Sequence, residues 1–271
     1  IAENLRYMRE ELFPPMVEAL HKLGGIPIKP ILAESMQMGD ENHTRQTACD
    51  YIYDRLMLPA LFELDRPKKE IMKTVRYIVD TPRFFHCYGQ AAARAALVAA
   101  DGTEYSTMVT AVCGNGVEFG IKIASLPGQW FTAPAPMMKG RYTSSEFTEK
   151  DQLPWMGDSC VVECYGMGGF AAAASPIVCN LRGMTLKESI GQTKEMYRIT
   201  MEKNYNFPIP NLDFDFLPVG IDIRKVLKEG VCPAIHGGMF NRVGGLIGAG
   251  MARVPMQCFE KALVAFGEKY L

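Results

Sequence analysis

Helical and strand-like patterns are distributed unevenly along this chain, and that unevenness is the strongest constraint on what it can fold into. To about residue 100 almost every readable segment is helical. "AENLRYMREEL" has helical spacing. Pro14 and Pro15 then break or restart the helix, because proline lacks the amide donor and crowds the preceding turn. "MVEALHKLGG" ends on a glycine pair, a C-terminal stop. After "GIPIKPILAESMQM", which reads only as an apolar stretch, helices are expected over 44–63, 67–79 and 82–99, with Pro67 and Pro82 in their first turns.

Beyond that point the pattern changes. "YSTMVTAVC" and "VEFGIKIAS" are β-rich runs joined through "GNG", a hairpin signal. "CVVEC" reads as another strand, and "FAAAASPIVCNL" as a small-residue helix broken near Pro176. "TLKESIGQTKEMYRITMEK" opens on Thr185 and Glu188, a capping box. "IDIRKVLKEG" is a short helix ending at Gly230, "CPAIHGGMF" and "GGLIGAGMARVP" are strand-and-turn material, and "QCFEKALVAFGEKYL" closes as an amphipathic helix. The expectation is an α+β (mixed α/β) fold: a helical subdomain over 1–100, then a mixed sheet with flanking helices over 101–271.

A chain of 271 residues suits one large domain or two modest ones, and its net charge of −1 gives no basic excess for nucleic acid. Eight irregularly spaced cysteines do not make a disulfide scaffold at this length; they are expected to be mostly reduced and buried, hence cytoplasmic. The longest apolar run, "AAARAALVAA", is interrupted by Arg94 and too short for a bilayer, and no signal-peptide pattern is visible. The chain opens on Ile1 rather than methionine, so part of the native protein is expected to lie outside it.

The densest polar cluster is "GDENHTRQTA", with Asp40, Glu41, Asn42, His43 and Arg45 where a helix begins. Three readings stand. Asp40 or Asn42 caps free helix N–H groups; the helix end and Arg45 bind a small anion; or Asp40, Glu41 and His43 hold a metal. No second cluster has a recognised metal spacing, so neither metal nor cofactor is expected. In "CGNGVEFGI", Asn115 and Glu118 are either turn residues or the edge of a cleft, with Glu118 a buried acid or base.

"GDSCVVECYGMGGFAAAAS" places Asp158 and Glu163 on an expected strand leading into Gly166, Gly168 and Gly169, whose N–H groups either pack closely or approach an anion. It is neither a Walker loop nor a full dinucleotide fingerprint. Asp222 and Arg224 read as a local salt bridge, with Arg224 as an anion ligand the alternative. "IHGGMFNRVGGLIGAG" offers His236 as a candidate acid or base, and Asn241 and Arg242 as anion-lining groups. Trp130 and Phe131 form a packing wall or a substrate loop. Carboxylates, single arginines, amides and glycine turns together suit a small polar anion in a cleft, not a membrane or a long nucleic acid.

"GDENHTR", "GNGVEFGI", "WFTAPAP", "GDSCVVECYGMGGFAAAASP", "VGIDIRKV" and "IGAGMARVPMQCFEKAL", in this order, resemble the AllG (YlbE-like) family, long catalogued only as a domain of unknown function. The resemblance implies the C-terminal part of a longer family protein, or a shortened relative. It also implies one of three different subunits of oxamate carbamoyltransferase, which interconverts oxalurate plus phosphate with oxamate plus carbamoyl phosphate in anaerobic allantoin and purine breakdown. Other subunits of that complex are then the expected partners, with homo-oligomerisation left open. The Ser-Thr-Arg-Thr signature of better-known carbamoyltransferases is absent.

For such chemistry, Arg45, Arg224 and Arg242 are candidates for charge neutralisation, the N–H groups of Gly166 to Gly169 for oxyanion stabilisation, and His43, Glu118 or His236 for proton transfer. A non-catalytic anion-binding or scaffold subunit, or a relative with a different acyl or carbamoyl transfer, are the alternatives.

Overall fold

The computed structural model describes residues 2–271. The chain first forms a run of helices: α1 (Ala2–Tyr7), a π-helical turn at Met8–Leu12, α2 (Phe13–Leu23), α3 (Ile28–Gln37), α4 (Thr47–Phe62), α5 (Lys68–Asp80) and α6 (His86–Val98). Pro14 and Pro15 sit in the first turn of α2, where their missing N–H groups cost no helical bond, and Gly24 ends that helix at φ 70°. The fold is α+β, as the uneven patterning implies.

Two antiparallel sheets organise the second part of the chain. The first has the strand order β3-β2-β1-β5, from β1 (Val109–Asn115), β2 (Glu118–Ile123), β3 (Phe131–Pro134) and the short β5 (Met156–Gly157). The second has the order β4-β9-β8, from β4 (Lys139–Tyr142), β8 (Ala234–Phe240) and β9 (Leu246–Arg253). A separate ribbon pairs β6 (Thr200–Ile209) with β7 (Asp215–Ile221). Between them run α7 (Val161–Cys164), a 3-10 helix at Gly168–Ala174, α8 (Pro176–Leu181), α9 (Leu186–Met196) and α10 (Ile223–Glu229), and α11 (Met256–Tyr270) closes the chain. All seven residues of the 3-10 helix are buried, which the small side chains of "GGFAAAA" permit. One buried hydrophobic cluster includes Leu32 and Met57 of the helices together with Val112, Phe170 and Ile235.

Several expectations are corrected. "CVVEC" is the single turn α7, not a strand: β-branched propensity yields to packing against α6 and β1, and Val161 N–H closes onto the Asp158 carbonyl. Glu163 therefore lies on a helix and Asp158 in a loop. The "apolar stretch" is helix α3; Pro27 and Pro30 hid it, yet both precede or occupy a first turn that needs no amide donor. The expected helix over 44–63 begins only at Thr47, and that over 82–99 at His86. The polar run after Tyr197 is strand β6, paired only with β7 and largely solvated, so it shows no hydrophobic alternation.

The two sheets meet at Trp155, whose ring is 2% exposed. A Cβ on Gly114 of β1 would come within 2.7 Å of one end of the ring, and a Cβ on Gly237 of β8 within 2.7 Å of the other. Only glycine lets both backbones approach this closely. Phe119 packs edge-on at 6.1 Å between ring centroids, and the indole N–H donates to the Gly157 carbonyl at 3.2 Å. Trp155→Ala is expected to lower unfolding free energy by about 3–5 kcal/mol in urea titrations; a loss below about 1 kcal/mol would mean that the two sheets hold together without this ring.

Candidate functional site

The loop Gly39 to Gln46, between α3 and α4, is built from its own polar residues. Asp40 is fully buried, and its Oδ2 accepts from the Ala48 and Cys49 N–H groups at 2.8 and 3.0 Å, capping the first turn of α4. Its Oδ1 accepts from Arg45 Nε at 2.9 Å, so Arg45 is spent on an ion pair at the loop's edge. Asn42 takes the left-handed conformation at φ 62°; it accepts from Ser35 Oγ at 2.9 Å and donates to the Leu32 carbonyl at 3.0 Å. Asp40, Asn42 and Arg45 thus hold the loop.

What they hold in place is Glu41 and His43. Glu41 Oε1 accepts the backbone N–H groups of His43 at 3.3 Å, of Arg45 at 2.9 Å and of Thr44, while Oε2 meets His236 Nδ1 at 3.2 Å. His43 Nδ1 lies 2.8 Å from Oε1 of Glu163, which is fully buried. That same oxygen accepts the N–H groups of Gly169 at 3.0 Å and of His236 at 2.9 Å. An oxygen receiving two backbone donors is the acceptor for the ring as well, so His43 Nδ1 carries the proton and Nε2 is left as the basic nitrogen.

His236 is held differently. The Gln192 amide nitrogen donates to the Gly169 carbonyl at 2.7 Å and lies 3.0 Å from His236 Nε2. With that amide orientation, His236 Nε2 accepts and Nδ1 donates to Glu41. Both ring nitrogens are engaged and the residue is 1% exposed, so His236 locks the cluster together.

The glycine turn serves the cluster rather than presenting donors outward. Gly166 N–H donates to the Glu163 carbonyl, Met167 N–H to Val162, Gly168 N–H to Glu41 and Gly169 N–H to the Glu163 carboxylate. None of these is free for an oxyanion. Gly168 has φ 59°, and a Cβ there would sit 2.2 Å from Glu163 Oε1, so only glycine leaves room for that carboxylate.

A cleft of about 430 Å³ opens over His43. His43, Thr44, Arg83, His86 and Ser159 line one side, and the β8–β9 residues Gly237, Gly238, Phe240, Leu246, Gly248 and Ala249 line the other. The His86 ring stacks on His43 at 5.9 Å between centroids and 15° between planes. Burial, with the neighbouring His43, pushes the His86 imidazole down to about 4, so it is uncharged at neutral pH. A wider and more open groove, near 520 Å³, lies along α9 beside Arg198 and Arg253 and lacks the histidines.

The remaining sequence candidates fall elsewhere. Asn115 accepts from the Val117 and Glu118 N–H groups at 2.9 and 2.7 Å in the β1–β2 turn, and exposed Glu118 accepts from Thr132 at 3.1 Å. Glu118 is therefore not a buried acid. Exposed Asp158 lines a separate depression with Arg94, Lys122 and Trp130. Asp222 caps α10, accepting from the Arg224 N–H at 2.9 Å, and pairs with the exposed Arg224 guanidinium at 2.9 Å. Asn241 and Arg242 shape the β8–β9 turn, with Arg242 Nε donating to the Lys150 carbonyl at 3.0 Å. These are turn, cap and surface contacts, and none of these residues lines the cleft over His43.

Sequence reasoning noticed Glu163 but gave it no site role, and it passed over Arg83, His86, Arg182 and Gln192. For Gln192 a signal exists: it lies on the buried stripe of α9, with Ser189, Thr193 and Met196. Arg182, in "NLRGM", carries none. No group of three or more His, Cys, Asp or Glu among the described residues is arranged to hold a metal.

The model of the AllG family, "Oxamate carbamoyltransferase subunit AllG", matches residues 1–159. The chain belongs to the AllG family. It is 35% identical over all of its length to the uncharacterized protein YahG of Escherichia coli, covering 57% of that protein. It is also 35% identical over 97% of its length to the oxamate carbamoyltransferase subunit AllG of the same organism, covering 64% of it. The chain thus spans less than two thirds of these relatives. A crystal structure of a conserved protein of unknown function from Enterococcus faecalis V583 superposes with a TM-score of 0.95 at 36% identity, over 98% of this chain and 64% of that one.

Burial raises the Glu163 carboxyl above its usual 4.5, only partly offset by His43 and the Gly169 N–H. A group whose pKa rises on folding binds its proton more tightly in the folded state. Its stabilising contribution is therefore full below about 4.5 and is lost as pH rises through the higher folded value. Glu163→Gln, which keeps the accepting oxygen, should accordingly flatten the fall in denaturant stability as pH rises from 4.5. Asp40, Asp50 and Asp54 are raised by burial too and act in the same direction, so the measured quantity is the wild-type minus variant difference. An unchanged slope would show that Glu163 binds its proton equally in the folded and unfolded states.

Proposed function

We propose that this chain is part of a carbamoyltransferase subunit, acting on small anions in the cleft over His43. The reaction is the interconversion of oxalurate and phosphate with oxamate and carbamoyl phosphate, in a complex with other subunits in the cytoplasm. The observation that carries this reading is the contact between His43 and Glu163: Glu163 Oε1 lies 2.8 Å from Nδ1, and His43 lines a cleft with Arg83, Thr44 and Ser159.

In the direction of carbamoyl phosphate formation, a phosphate oxygen attacks the carbamoyl carbon of oxalurate. The bond from that carbon to the oxamate nitrogen breaks, and the nitrogen takes a proton. In the reverse direction the oxamate nitrogen gives up that proton as it attacks, and phosphate leaves. A histidine whose Nδ1 is held by a carboxylate suits this exchange at Nε2, because the held proton fixes which nitrogen reacts. Arg83 offers a positive charge at the cleft wall for carboxylate or phosphate oxygens. No helix among the described residues is long and apolar enough to cross a membrane. The eight cysteines are all free thiols, which suits a reducing compartment.

The test is turnover of oxalurate and phosphate by the full-length protein assembled with its partner subunits. His43→Asn should lower kcat by about 10²–10⁴-fold, the usual worth of a positioned acid or base, with the thermal midpoint recorded alongside to separate loss of the bond to Glu163 from loss of chemistry. Arg45→Ala, which breaks only the pair with Asp40, should cost much less. Full activity in His43→Asn would refute the catalytic reading; retained oxamate binding in a wild-type assembly without turnover would favour an anion-binding subunit instead.

A further inference from the structure

Behind the cleft wall lies a cation that the proposed proton transfer does not use. Arg182 caps the C-terminal end of α8 and is 6% exposed. Its Nη2 donates to Thr44 Oγ1, but its Nε and Nη1 are buried with no partner. A guanidinium carries five N–H donors, and leaving buried ones unmade is costly. The nearby carboxylates do not take them. Glu41 and Glu163 both act on Arg182 through their charge; Glu41 is filled by three backbone N–H groups and His236, and Glu163 Oε1 by three donors, while Glu163 Oε2 is buried without a hydrogen-bond partner and makes no bond to Arg182. Burial lowers the Arg182 pKa only to about 10, so it stays charged at neutral pH.

Thr44 is the link to the cleft. It lines the cleft beside His43 and Arg83, and its backbone is fixed by the bond to Glu41. Because its hydroxyl oxygen accepts from a cation, its own hydrogen is polarised, and no described group receives it. We propose that Thr44 and Arg182 form an oxyanion-binding element of this cleft. The Thr44 hydroxyl donates to a carboxylate or phosphate oxygen of the bound ligand, and Arg182 supplies the positive charge from behind. Arg182 is thus a positioning residue, and Thr44 the group that touches the ligand.

The inference rests on the cleft being a small-anion site, and the experiment separates the two. Inorganic phosphate and oxamate are titrated calorimetrically into the full-length protein assembled with its partner subunits, and into the same assembly carrying Thr44→Val, Thr44→Ser or Arg182→Lys, with His43→Asn alongside. Removing a charge-assisted hydrogen bond should weaken binding by about 10- to 100-fold. The expected result is that loss in Thr44→Val, with Thr44→Ser within about threefold of wild type, since it keeps the hydroxyl. A purely structural role for the hydroxyl would move the melting temperature and not this rescue. Arg182→Lys retains charge but loses the fork, so it should fall between them and bind with a weaker preference for the larger phosphate charge. Whichever of phosphate and oxamate responds more to Thr44→Val identifies the oxygen that Thr44 meets.

Binding of both anions in Thr44→Val and Arg182→Lys as tight as in wild type would overturn the inference alone, provided that oxamate binding still depends on His43. If the wild-type protein binds neither anion, this inference and the reading of the cleft fail together.

Discussion

One carboxylate oxygen, Glu163 Oε1, is the joint on which the site is assembled. It receives donors from three parts of the chain that are far apart in sequence: the His43 ring, the Gly169 backbone and the His236 backbone. In a buried, low-dielectric setting such bonds are strong when complete and costly when broken. The joint explains features that otherwise look unrelated. Gly168 must lack a side chain because the carboxylate occupies that space. The turn after α7 coils back so that its N–H groups meet Glu41 and Glu163. The register of β8 is pinned at His236.

The two histidines nearest this joint have divided roles. His236 is closed on both nitrogens, by Glu41 and by Gln192, and can neither rotate nor exchange a proton with a ligand without breaking the cluster. His43 is closed on one nitrogen only and looks onto the cleft. The opposite wall is the glycine-rich β8–β9 hairpin, whose missing side chains leave the cleft its width. Substitutions that keep volume and pattern are tolerated in packed cores, and a backbone shared at a TM-score of 0.95 with only 36% identity fits that rule.

The sequence by itself determined the broad organisation: helices first, strands later, with the β1–β2 hairpin, the capping box at Thr185 and the glycine stops at Gly24 and Gly230 all set by local chemistry. That the polar groups of "GDENHTR" form a bonded cluster was also legible, because so many polar groups at a helix start must be satisfied somewhere. The order of motifs that marks the family was legible too. Tertiary structure decided what each polar group is for. Asp40 and Arg45 satisfy each other, Asn42 serves the loop, and only His43 and Thr44 of that cluster reach the cleft. "CVVEC" became a helical turn packed against α6 and β1, and that placed Glu163 against residues 120 and 73 positions away. Arg182 and Thr44 are 138 residues apart. No local pattern encodes such a meeting, since hydrogen bonds between distant segments exist only once the core has brought them together.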